Sequence, residues 1–194
     1  MKKLKKVLLI ALCVALLVTA SIMGTMAYLT SSDAVTNTFT MGNVSITLDE
    51  ADVDEYGVVE TDDDGNTLPR TESNEYKLIP GREYTKDPVI HVAQGSEECW
   101  LFVVIQNGLG ANAAIDGPNA DEWTELVSGT WAYNTKVDAR QTAQDVTVFT
   151  GFTYSQDVED TAADAEKEIV VTAYAVQADG FATAQAAWAA TFGA

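Results

Sequence analysis

Trp100-Leu101-Phe102-Val103-Val104-Ile105 is apolar at every position. A strand without a polar face has to be covered on both sides, so this stretch predicts the central strand of a layered β fold. Just before it, Gln94-Gly95-Ser96 forms a break. Val89 to Ala93 reads as the preceding strand, opened by Pro88 at a position strands tolerate. Pro80-Gly81 is a turn signal: proline presets φ and glycine allows positive φ. Earlier still, Val44, Ile46 and Leu48 alternate with Ser45 and Thr47, the period-two mark of a strand with one buried face.

Val58-Val59 and Tyr76 to Ile79 flank the polar tip Asp62-Asp63-Asp64-Gly65-Asn66. That pattern predicts a hairpin turning on Asp64-Gly65, with those two apolar runs as its arms. After the central strand, Asn107 to Gly117 is a loop of small residues. Trp123 to Val127 suits either a short helix or a strand. Trp131-Ala132-Tyr133, Val146 to Tyr154 and Ile169 to Val176 predict three more strands. Asp157 to Glu168 is acidic and contains alanine, as a loop with a helical turn would. Ala182 to Phe192 is alanine-rich and predicts a short helix. These elements predict an all-β fold, an antiparallel jelly-roll-like β-sandwich with a short C-terminal helix. No fixed-period repeat is visible.

The 194 residues hold 11 Lys+Arg against 29 Asp+Glu, a formal net charge of −18. All the acids lie at or after Asp33, and four of the bases are Lys2, Lys3, Lys5 and Lys6. Residues 28–194 therefore carry seven bases against 29 acids, a formal −22. Such a surface repels phosphate backbones, which argues against nucleic acid as a partner. The four lysines precede a charge-free apolar run, Val7 to Val18, and small residues ending in Thr25-Met26-Ala27. That order predicts a secretory signal peptide over 1–27, cut between Ala27 and Tyr28, and a secreted single domain over 28–194. The membrane then enters only through the signal segment, although stretching the run to Met26 gives about the 20 apolar residues of an anchor. Cys13 leaves with the signal. Cys99, at the start of the apolar run, is then alone and reads as a small core residue.

Gly24-Thr25-Met26-Ala27-Tyr28-Leu29 followed by Asn37-Thr38-Phe39-Thr40-Met41-Gly42-Asn43-Val44 resembles the SipW-dependent signal peptide and mature N-terminus of the TasA/camelysin family of exported proteins. Leu78-Ile79-Pro80-Gly81 with Lys86, and Ala173-Tyr174-Ala175-Val176-Gln177-Ala178 with Phe181, are weaker points of likeness. Residues 107–164 match nothing in that pattern. The resemblance implies export through a dedicated signal peptidase. It also implies deposition in an extracellular matrix or at the cell surface, and self-association into fibres by donation of an N-terminal strand. Carried onto this chain, the assembly arm is Tyr28 to Met41, with Tyr28, Val35, Phe39 and Met41 as residues to insert. The residues alone favour that arm pairing with its own sheet, as most N-terminal strands do; the resemblance brings strand donation level with it.

Chemistry narrows further. One histidine, His91, cannot form the two-histidine helical face of a zinc peptidase. The metalloprotease activity that the resemblance also raises therefore lacks its ligands, and the expectation is a protein that is not an enzyme. Cys99 lies beside Glu97 and Glu98, which would raise rather than lower a thiol pKa. Glu60-Thr61-Asp62-Asp63-Asp64-Gly65 is similar to the first half of a calcium loop, with Asp62, Asp63 and Asp64 as ligands. It departs from one at Glu60 and at Thr71. Asp49, Glu50, Asp52, Asp54 and Glu55 are a second acidic group, able to lie near the tip. A monomeric domain that binds a sugar or a protein is the alternative to the fibre subunit, since β-sandwiches host such sites readily.

Overall fold

A computed structural model describes residues 40–41, 43–158 and 167–193, all within the unit Thr36–Ala194. The signal segment, Ala27, Tyr28, Val35 and Phe39 lie outside the described residues. The strands are β1 (Thr40–Met41), β2 (Ile46–Asp49), β3 (Glu83–Thr85), β4 (Val89–Val92), β5 (Ser96–Asn107) and β6 (Ala113–Ile115). They continue with β7 (Trp123–Val127), β8 (Thr130–Tyr133), β9 (Val137–Ala139), β10 (Gln144–Thr147), β11 (Gly151–Tyr154) and β12 (Ile169–Gln177). One helix follows, α1 (Ala184–Phe192).

The fold is an antiparallel all-β sandwich with a short C-terminal helix. Its main sheet runs β1-β12-β5-β8-β7, with β9 also paired to β5. The second sheet is β10-β4-β2, and a small third sheet is β3-β11-β6. All strand pairs are antiparallel except β1, which lies parallel to β12. The apolar run sits in β5, which pairs with β12 along nine residues, from Ile169↔Asn107 to Gln177↔Cys99.

Both faces of β5 are covered, as its composition requires. Cys99, Leu101 and Val103 point toward the second sheet, into a core with Ile46, Ile90 and Val92. Trp100 and Phe102 point the other way, into a cluster with Ala132, Val176, Ala187 and Trp188. Helix α1 is what covers that second face. Alanine favours the helix, and the Thr183 hydroxyl caps it by accepting from the Ala186 N–H at 3.2 Å.

The third sheet packs Tyr84, Phe152 and Tyr154 into a separate aromatic core. The Tyr84 and Phe152 rings stack at 5.1 Å, and Tyr76 meets both edge-on. Gly151 permits this pairing, since a Cβ there would lie 2.5 Å from the Tyr84 carbonyl oxygen.

Several sequence expectations change. The hairpin tip forms, with Thr61 bridged to Thr67, but Val59 bridges Val53 and no strand forms over Tyr76 to Ile79. The arms expected to pair with each other are thus separate stretches. Tyr76 is drawn instead into the aromatic core, which buries more of a large ring than an edge pairing would. Val146 to Tyr154 divides into β10 and β11, which belong to different sheets. The supposed loop after Asn107 contains β6. Trp123 to Val127 is a strand, fixed by pairing with β8.

Candidate functional site

Strand β12 is at one side of the main sheet and β2 at the same side of the second sheet, so the sandwich has a seam there. Beside the seam is a cleft of about 600 Å³. Leu48, Leu78, Leu109, Phe152, Ile169 and Val171 give it apolar walls. Volume and lining are those of ligand-sized sites.

The cleft also holds a buried polar cluster. The Glu50 side chain is 5% exposed, and that of Lys86 12%. Lys86 Nζ donates to Glu50 Oε2 at 2.6 Å, and Asn74 Nδ2 donates to Glu50 Oε1 at 2.9 Å. Asn74 Nδ2 also donates to the Ala51 carbonyl at 2.8 Å, and Asn74 Oδ1 accepts from the Val53 N–H at 3.0 Å. Both polar atoms of the Asn74 side chain are therefore engaged. Sequence reasoning placed Glu50 in an acidic group and noticed Lys86 only as part of a motif. It missed Asn74 altogether.

A second network lies on the exposed face of the β10-β4-β2 sheet. His91 on β4 is flanked by its two neighbours: Nδ1 meets Asp145 Oδ1 at 2.7 Å and Nε2 meets Asp49 Oδ1 at 2.9 Å. Arg70 binds Asp49 and reaches Asp87 Oδ2 at 3.0 Å. Partial burial pulls the His91 pKa down, but hydrogen bonds to Asp49 and Asp145 outweigh it and raise the pKa above 6.5. Burial pushes the Asp49 carboxyl up, and bonds from Arg70 and His91 overcome that and hold it below the usual carboxylate value. Both ring nitrogens are used in this pairing.

The sign of the resulting pH dependence follows. A raised histidine pKa stabilises the fold fully below about 6.5, and the effect is lost as pH rises through the folded value. The Tm advantage of the natural chain over a His91→Gln variant is expected to be about 2–4 °C larger at pH 6 than at pH 8. Differential scanning calorimetry checks it, and an advantage that is flat or grows with pH rejects the assignment.

The acidic tip does not bring its carboxylates together. Asp62 Oδ1 accepts from the backbone N–H groups of Asp64 at 3.0 Å and Asn66 at 2.8 Å. The bond from Asn66, above all, lowers the Asp62 pKa. That carboxylate organises the turn, and Gly65 supplies its positive φ of 83°. Among the described residues no three His, Cys, Asp or Glu side chains form a metal-holding group. Asp62, expected as a calcium ligand with Asp63 and Asp64, is engaged with the backbone of its own turn. The second acidic group does not join the tip either: Asp49 goes to Arg70 and His91, and Glu50 to Lys86. Cys99 is fully buried, and burial, with Glu98 second, pushes its thiol up to about 12.

Of the arm, Thr40 and Met41 are described. Met41 lies in β1, paired with Val176, next to Thr40 paired with Ala175. No family model matches the chain, and searches of curated proteins and of solved structures return no match.

Proposed function

We propose that this chain is an exported, non-enzymatic subunit of an extracellular or cell-surface assembly, in which residues 28–41 join one copy to the next. The observation that carries this reading is the seam. Among the described residues, strand β1 meets β12 at Ala175 and Val176. Continued toward the N-terminus, its parallel register would run residues 34–38 along Ile169 to Ala173. Among the described residues no strand lies on that side of Ile169 to Ala173, and the cleft opens beside Ile169.

A strand supplied by a second copy can make the same backbone hydrogen bonds as the chain's own, and alternate side chains then set its register. By period two, Val35, Phe39 and Met41 share one face of such a strand. The register would bring Val35 beside Val170, a valine left 39% exposed on β12. A head-to-tail contact of this kind does not close on itself, so its product is a filament. Copies at −22 repel, which makes assembly respond to ionic strength.

Electron microscopy tests this. The chain beginning at residue 28 is expected to form filaments, and the chain beginning at residue 42 to form none. Filaments that persist unchanged after the deletion reject the role of the arm. The cleft itself favours a second reading, a monomeric binding domain. A glycan array positive with the arm-deleted chain, together with an absence of filaments from the longer one, would decide for it.

A further inference from the structure

Glu50 uses its two carboxylate oxygens on two different side chains, the Lys86 amine and the Asn74 amide. An amine, an amide and a carboxylate are thus held in one buried cluster beside Tyr76, Leu78 and Phe152. These are the reactants and the acid–base group for joining two side chains. We propose that Lys86 and Asn74 become linked by an isopeptide bond, with Glu50 as the catalytic residue. This goes beyond the assembly reading and stands without it.

The chemistry balances with the groups present. Lys86 passes a proton to Glu50 Oε2 through their 2.6 Å hydrogen bond, leaving a neutral amine. That amine attacks Asn74 Cγ. Negative charge develops on Asn74 Oδ1, which already accepts from the Val53 backbone N–H at 3.0 Å. A preset donor at the atom where charge develops is the arrangement that lowers the barrier in acyl transfer. Asn74 Nδ2 is the leaving group, and it is already bonded to Glu50 Oε1 at 2.9 Å. Glu50 returns its proton to Nδ2, the Nζ–Cγ bond forms and the Cγ–Nδ2 bond breaks. The ammonia released takes the surplus proton of Nζ and leaves as ammonium. Glu50 ends as a carboxylate, and no oxidant or reductant is needed.

Burial matters in two ways. The low exposure of Glu50 and Lys86 limits the water that can compete with the amine for Cγ, and a neutral pair is in general less costly to bury than separated charges. The link would fasten the stretch before Leu78 to the connection between β3 and β4, closing a loop whose ends are already held. Val53 and Ala51 fix the amide plane, so Asn74 presents one orientation to the amine.

Mass spectrometry of the intact purified chain tests the proposal. The expected mass is one ammonia below that of the unmodified chain. A digest is expected to yield the peptide containing Asn74 covalently joined to the peptide containing Lys86. Lys86→Arg and Glu50→Gln, each made separately, are expected to restore the full mass and remove the joined peptide. A natural chain of full unmodified mass overturns the proposal whether or not the variants fold. So does a deficit that the digest places elsewhere, such as a cyclised asparagine, or one that survives in Lys86→Arg.

Discussion

Phe102→Ala is expected to destabilise the chain by about 3–5 kcal/mol, the cost of truncating a fully buried phenylalanine. Its ring is wholly inaccessible and lies 5.1 Å from the Trp188 ring. It faces helix α1 and not the second sheet, so the cavity would open between the main sheet and the helix. Two packed layers border it, and the backbone of β5 is held by β12 on one side and β8 on the other. Neither side can collapse readily into the space, which places the cost in that range. Val104→Ala, at a half-buried position of the same strand on the same face, should cost far less. Urea denaturation of the two variants measures the contrast. A loss below about 1 kcal/mol for Phe102→Ala would mean that the helix does not cover the strand as described.

That double cover was legible because it is written in consecutive residues. Six apolar positions in a row leave β5 no solvent face, and nothing distant is needed to read it. The Pro80-Gly81 turn was equally local: the Arg82 N–H donates to the Ile79 carbonyl, and Gly81 takes a φ of 78°. The tip at Asp64-Gly65 was local in the same sense. Its arms were not. Whether Val59 pairs with Val53 or with a residue near Tyr76 depends on where the Tyr76 ring is best buried, and that is settled by Tyr84 and Phe152 far along the chain.

The buried cluster shows the same division more sharply. Glu50, Asn74 and Lys86 are separated by 24 and then 12 residues, and each has a plain local reading. Glu50 belongs to an acidic run, Asn74 to a polar stretch, and Lys86 to the residues after a turn. Only the antiparallel placement of β2 beside β4 brings Glu50 next to the connection that carries Lys86. The Glu50↔Thr71 bridge then brings in the stretch that carries Asn74. His91 is a partly covered residue of β4. Its two carboxylates come from neighbouring strands and could not be seen in its own segment.

Lys86→Met is the other substitution expected to have a large effect, about 3–5 kcal/mol of lost stability at neutral pH. Methionine keeps the length and apolar stem of lysine, so little packing is lost. What remains is the Glu50 carboxylate, 5% exposed, with the Asn74 amide as its one partner among the described residues. In the unjoined chain the variant removes the counter-charge of Glu50, and in the joined chain it removes the covalent tie; either is among the few single changes able to produce a loss of this size. Thermal melts of the natural chain, of Lys86→Met and of the double variant Glu50→Gln/Lys86→Met at pH 7 separate the contributions. The part of the loss that the added Glu50→Gln relieves belongs to the stranded charge. The part that stays belongs to packing and to the covalent tie through Lys86. A variant as stable as the natural chain at pH 7 would show that water reaches Glu50 freely.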